Sequence, residues 1–341
     1  MAEKIKIPTE KLKIVFSDVI RGFSIIRGEG AKDIYVRHFT NLDAANVDEF
    51  QLLFKEKAAK DGLPNEKEKL ELLAKDGLWD PKKDALIAES TRYIKNLTIT
   101  RSKLFLKSEM DRMAAQIQAE KEKLEKLEQE RLELVGTTVE SYGQRKANER
   151  YIFLSLFKDS GLNEGYYSTE EYAELTIQEL SGIIELYNSR MSLFAPTSLK
   201  TLAVSNFFLN FFYLCEDNPY TFFGKPVVNL TYYQVELFGY GRYFKQILSD
   251  TKTRPPDEMM DDPDQIIEWY EANKNAEKVM NKAGKGEAGA SSIVGATKDD
   301  LKRLGLVDER TDSTSLAKEA AKKGGNLNME DIMKLHGLKR N

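Results

Sequence analysis

Apolar residues recur every third or fourth position along most of this chain and alternate only near its start. Over residues 11–16, Leu12, Ile14 and Phe16 alternate with polar neighbours. Over residues 33–39, Ile34 and Val36 fall on one side and Tyr35 and Arg37 on the other. Arg27-Gly28-Glu29-Gly30 supplies turn residues between the two runs. Together they predict a small N-terminal antiparallel sheet. From Val47 the period becomes helical, with Phe50, Leu53, Phe54 and Lys57 at helical spacing. Asp61-Gly62-Leu63-Pro64 ends that helix, and a second, over residues 66–75, stops at Asp76-Gly77.

Asp80-Pro81 opens the next helix, with Asp as N-cap and Pro at the first helical position. It carries Leu86, Tyr93, Ile94 and Leu97. Ser108-Glu109-Met110-Asp111 reads as a capping box with the shorter Asp at its end. It predicts the start of the longest helix, which Gly136 closes. Along it Met110, Met113, Ile117, Glu120, Leu124, Leu127, Arg131 and Leu134 alternate at spacings of three and four, a heptad seam. Roughly 27 residues at 1.5 Å each make a rod of ~40 Å. Glu120 and Arg131 interrupt the seam, which argues against a long independent zipper. The short connection makes the preceding helix its antiparallel partner, with intermolecular pairing as the alternative.

Four more capping boxes are predicted, at residues 137–140, 168–171, 176–179 and 231–234, each ahead of a helical apolar pattern. Pro196 starts the helix that carries Phe207 to Phe212. Asn218-Pro219 and Gly224-Lys225-Pro226 bracket a turn and a short extended piece at residues 227–230. Residues 207–244 hold fourteen of the chain's 34 aromatic side chains. A buried aromatic hides ~150–250 Å², and monomers rarely expose patches beyond a few hundred Å². Most of this block is therefore covered, by a core or by a partner. Core packing is the plain reading, and a partner interface suits Tyr220, Phe222, Phe223 and the tyrosines. A stacking platform for single-stranded nucleic acid would need interleaved cations, and Lys200, Lys225, Arg242 and Lys245 are few and scattered.

Composition changes after Leu248. Arg254-Pro255-Pro256-Asp257 is a stiff linker, and Asp262-Pro263 caps a helix with Ile266, Ile267, Trp269 and Tyr270. The acidic run over residues 257–264 lacks the spacing and turn glycine of a calcium loop, so it reads as a solvated helix lead-in. Residues 284–295, rich in Gly, Ala and Ser, cannot bury a core. Short helices are predicted beyond them, one with Leu301 and Leu304, the last with Ile332, Met333 and Leu335 ahead of Gly337. Short amphipathic pieces on a tether suit docking into a partner's groove. The chain thus divides into a β-rich element (1–46), helices with a hairpin (47–136), an aromatic-rich helical core (137–249) and a linker and tail (250–341). The fold class is mainly α: a helical body with a long helical hairpin, a small antiparallel β element and a flexible C-terminal tail.

Charge and chemistry narrow the function. With 51 basic and 55 acidic residues the net charge is −4, which gives no general attraction to phosphate backbones. Cys215 is the single cysteine, set among aromatics, which excludes an internal disulfide and suggests a reducing compartment. The start lacks a signal-peptide run, and residues 202–215 are too short to span a membrane, which takes ~20 residues. Only His38 and His336 occur, so no Cys/His zinc pattern can form, and His38 reads as structural. No catalytic, cofactor or metal residues are assigned, and an enzyme is not expected.

Three segments carry a resemblance. Ile34-Tyr35-Val36-Arg37-His38-Phe39-Thr40-Asn41-Leu42-Asp43 resembles the strand, polar turn and helix that open tail and baseplate-hub assembly chaperones of tailed bacteriophages. Met329-Glu330-Asp331-Ile332-Met333-Lys334-Leu335-His336-Gly337 is similar to their short terminal helices. Asp217-Asn218-Pro219-Tyr220-Thr221-Phe222-Phe223-Gly224-Lys225-Pro226 is similar to proteins of large contractile-tailed phages. The resemblance implies a non-enzymatic tail or baseplate assembly factor that binds other tail or virion proteins. It implies neither nucleic-acid nor membrane partners, leaves a homo-oligomer open, and suggests the host cytoplasm during assembly. A permanent virion component is the alternative, because the hairpin and aromatic core exceed a minimal chaperone.

Overall fold

A computed structural model describes residues 7–27, 32–251 and 254–284. The two short helices predicted beyond residue 295, with Ile332, Met333 and Leu335, lie outside the described residues, as does the Gly/Ala/Ser-rich run after Gly284. Helix dominates, with one small antiparallel sheet near the N-terminus.

The first element corrects the sequence reading. Residues 11–16 are not a strand but part of helix α1, Thr9–Arg21. Leu12, Val15 and Val19 satisfy the helical period and are buried, whereas Ile14, the centre of the alternation, faces solvent. Gly22 stops the helix with φ of 83°, a conformation that glycine adopts freely, and donates to Asp18 and Val19 carbonyls. The sheet begins one step later. Strand β1, Phe23–Ile26, pairs with β2, Ile34–Arg37, which places Phe23 opposite Arg37 and Ile26 opposite Ile34. A third strand, β3, Leu156–Phe157, completes it from far along the chain.

Helix α2, Asn41–Lys60, is launched by a capping box between Thr40 and Asp43, and Arg37 grips the same Asp43 carboxylate at 2.8 and 3.0 Å. Then follow α3, Glu66–Lys75; α4, Pro81–Arg101; α5, Lys107–Val135; and α6, Val139–Ser155. Helices α2 and α6 lie along each other and lead away from the sheet. Beyond them come α7, Thr169–Glu174; α8, Ile177–Met191; α9, Pro196–Val204; α10, Asn206–Leu214; α11, Pro219–Phe223; α12, Tyr232–Ser249; and α13, Pro263–Gly284.

Local details differ from the pattern in four places. The box at 108–111 does not form: α5 starts at Lys107 with Leu106 at its N-cap and no side-chain cap, so Ser108 already lies inside the helix, and Asp111 pairs with the Lys107 ammonium at 2.8 Å. The next cap is Thr138 with Ser141, one residue later than read. The helix from Pro196 does not run on to Phe212. It breaks at Ser205, whose backbone is extended and whose hydroxyl donates to Leu202 carbonyl. Residues 227–229 form a 3-10 turn rather than an extended piece. The boxes at Ser168, Thr176 and Thr231 form as expected.

The hairpin is intramolecular and antiparallel. Lys83 meets Glu130, Arg131 meets Asp84, and Gln116 donates to the Tyr93 hydroxyl. On α5 the seam from Met110 to Leu134 is the covered face, but between its ends it is only half-buried. On α4 the facing row is Ile87, Ser90, Ile94 and Leu97; Leu86 and Tyr93 point outward. One neighbour cannot cover the wide apolar stripe of α4.

Both ends of the hairpin are fastened. At one end Trp79, Leu73 and Val135 form a small core, and Arg131 also reaches Glu66 of α3 at 2.6 Å. At the other, Glu268 of α13 takes Arg101 at 3.2 Å and Lys107 at 3.1 Å, and Asn275 donates to the carbonyls of Ser102 and Leu104. Because α13 seats Ile266 and Tyr270 in the main core, the hairpin closes a frame with α2, α6 and α3. Between hairpin and α2/α6 lies an open groove of about 540 Å³ with Arg131, Glu66, Glu128 and Glu140 on its walls.

Two expectations follow. Leu124→Ala removes a half-buried seam residue and costs ~1–2 kcal/mol, below the ~2–5 of a full core site, while Glu125→Ala changes stability by under about 0.5 kcal/mol. Urea titration of both proteins checks this, and equal losses would refute the seam. Glu268→Lys puts like charges together at the hairpin tip. Amide exchange around the 102–106 turn should then accelerate about tenfold or more, while the Trp79 end stays protected.

Candidate functional site

The aromatic block folds mostly inward. Phe208 and Phe212 of α10, Phe223 of α11, and Phe238 and Phe244 of α12 are buried in one cluster with Leu12, Val15 and Val19 of α1. Half-buried Phe222 packs against it, with ring centroids 4.8 Å from Phe223, 5.6 Å from Phe212 and 5.7 Å from Phe208, edge to face. Gly241 lets α12 approach: a Cβ there would stand 2.6 Å from the Phe212 ring. The lone thiol of Cys215 is buried and donates to Phe212 carbonyl at 3.0 Å.

What remains outside is specific. Helix α10 reads Asn-Phe-Phe-Leu-Asn-Phe-Phe-Tyr-Leu; Asn206 and Asn210 make one exposed polar side, and of the apolar residues only Phe208, Leu209 and Phe212 are buried. Phe211 is 59 % exposed and Leu214 77 %. With half-buried Phe207 they form a row at spacings of four and three on the side away from the core. Phe16 of α1 borders it, 5.9 Å from Phe207 and 6.4 Å from Phe211 between ring centroids. Directly after Leu214 and Cys215, Glu216 and Asp217 both take left-handed backbone, φ 52° and 58°, which is strained for residues with a Cβ. Lys245 holds the Asp217 carboxylate at 3.0 Å and lies over the Tyr213 ring.

Of the three body residues read as partner-binding, Phe223 is 7 % exposed and Phe222 is packed among rings, so both serve the core. Tyr220 alone, at 59 %, presents its ring to solvent. Near it in sequence, Val227, Val228, Tyr232 and Val235 are also exposed. The sequence reading missed Phe211 and Leu214. The signal was present, because Phe207, Phe211 and Leu214 form a second apolar stripe apart from Phe208, Leu209 and Phe212, and a core on one side cannot cover both. The scattered cations are mostly engaged: Lys200 with Asp264, Lys245 with Asp217, and Lys225 with Arg21 carbonyl.

His38 has a structural setting. Its Nε2 is 2.8 Å from Ser24 Oγ, and its ring stands against Phe194 and Tyr233. Ser24 also hydrogen-bonds the Asp18 carboxylate, which pairs with Arg190 of α8. With Asp18 ionised, the consistent chain runs from His38 Nε2–H to Ser24 Oγ and from Ser24 O–H to Asp18. The serine lies between acid and imidazole, unlike a nucleophile–base–acid triad, in which the imidazole stands in the middle. Ser24 and His38 are sealed from solvent, and His38 Nδ1 is buried without a partner. The arrangement clasps α1, β1, β2 and α8 together.

Among the described residues no group of three or more His, Cys, Asp or Glu side chains gathers as a metal would need, and no helix is long and apolar enough to cross a membrane. No family model, curated protein or solved structure matches the chain.

The clasp makes stability depend on pH. Burial, with the nearby Arg190 and Lys225 charges, pushes the His38 pKa down to about 3. Below its ordinary 6.5 the unfolded chain therefore binds a proton that the fold refuses, and stability falls as pH falls. From pH 7 to 5 the loss is ~2 kcal/mol. Burial holds the Asp18 carboxyl above its ordinary 3.8 despite Arg190, which acts in the opposite sense just above that pH. His38→Asn should flatten the fall between pH 7 and 5 in urea midpoints. Parallel slopes in both proteins would contradict this.

Proposed function

We propose that this chain is a non-enzymatic assembly factor that holds other proteins of a phage tail or baseplate. One observation carries the interaction reading: apolar and aromatic side chains of α10, α11 and the following turn face solvent beside a filled core. Tyr220 suits such a surface, since it buries a ring while its hydroxyl stays wet. The phage context rests on the resemblance, and the first segment's strand β2, polar Thr40 cap and helix α2 support it. The motif of Ile332, Met333 and Leu335 supplies a second, tethered contact. The factor works in the host cytoplasm during assembly.

A second reading, a permanent virion component, draws support from the frame closed by Glu268, since a strut fastened at both ends suits a load-bearing part.

The test is affinity isolation from cells in which the source particles assemble, beside mass spectrometry of finished particles. Tail or baseplate proteins should co-purify, and Tyr220→Asp should reduce their recovery about tenfold while the melting temperature stays within ~2 °C, as exposed changes do. Absence from finished particles favours the assembly factor, and a fixed copy number in them favours the structural part. Recovery of the same proteins with Tyr220→Asp would remove the surface from the reading. Co-purification with unrelated proteins alone would sink both readings.

A further inference from the structure

The row of Phe207, Phe211 and Leu214 needs a cover that the described residues do not supply. Helix α10 has one polar side, where Asn206 and Asn210 stand four positions apart and exposed, and one buried side, whereas the row lies on a third side that is apolar and uncovered. The row is short. Its exposed side chains amount to a few hundred Å², well below the ~800 Å² per partner of a stable interface between two proteins. A second copy docked there alone would gain too little. A short helix already tethered to the same molecule needs far less, because its effective concentration is on the order of millimolar.

The sequence predicts such a helix beyond the described residues. Met329, Ile332 and Met333 fall at i, i+3 and i+4, with Leu335 at the edge of the same side. Their length along a helix matches the row from Phe207 to Leu214. The stretch between Gly284 and this motif is roughly 44 residues, and a linker of that length reaches across ~35 Å. Charges fit as well. Exposed Glu216 stands at the Leu214 end of the row, next to an Asp217 already paired with Lys245, and the motif contains Lys334 and is followed by Lys339 and Arg340.

We propose that residues 329–335 dock in cis on the row of Phe207, Phe211 and Leu214, covering part of the apolar surface until a partner displaces them. The idea deepens the proposed function but is read without any partner, so the two fail separately. The purified full-length chain would carry p-benzoyl-L-phenylalanine at position 211, and in a second protein at 214, both exposed enough to accept it. Irradiation should give an internal link to the peptide containing Ile332 and Met333. Its yield should not change on tenfold dilution and should fall at least fivefold in Ile332→Asp with Met333→Asp. A link between two chains whose yield drops with dilution would overturn the proposal. So would a yield no higher than from the same probe at Ile177, which is 90 % exposed.

Discussion

The packing of Phe222 against Phe208, Phe212, Phe223 and Phe238 is the interaction on which the rest depends. Those rings come from three helices, and Phe16 of α1 closes them from the other end of the chain. Edge-to-face contacts fix orientation as well as area, so the cluster sets how α10, α11 and α12 lie. The absence of a side chain at Gly241 is part of that arrangement, because any Cβ would enter the Phe212 ring. With α1 committed to this core, Gly22 and the two strands after it are placed, and Gln234 of α12 ties back by donating to the carbonyls of Val19 and Ile20.

Polar groups then decide how the peripheral parts attach. Asp43 accepts from Thr40 and Arg37 at the point where the sheet hands over to α2. Asp18, Ser24, His38 and Arg190 join four elements inside the body. Glu268, half-shielded on α13, draws the hairpin tip back to the core. The carboxylates of Asp18 and Asp43 are buried in their pairs, so removing either cation would strand a buried charge. The consequence of the Glu268 pairs is geometric, since they convert an arm that could swing into a closed frame.

The histidine that could have recruited a serine is sealed from solvent and hydrogen-bonded within the fold. The surface left over is apolar, and the side chains read from the sequence as its contact points divided unevenly. Tyr220 faces outward, whereas Phe222 and Phe223 hold the core together.

Local order was legible in the sequence because it depends on nearby residues. The caps at Thr176 and Thr231, the proline that opens α4, and the α5 seam with its antiparallel partner are set by spacing within a few turns. Which face a residue presents is a different matter. Leu12 and Phe16 fit both a strand and a helix, Ile14 only the strand and Val15 only the helix, and the core beneath α1 takes Leu12, Val15 and Val19. Phe211 and Phe212 are neighbours of one type, and the core lies on one side of α10, so one is exposed and the other buried. The third strand and the Glu268 clasp join residues more than a hundred positions apart. No local pattern encodes such a meeting. It follows from how the buried rings orient the helices that carry it.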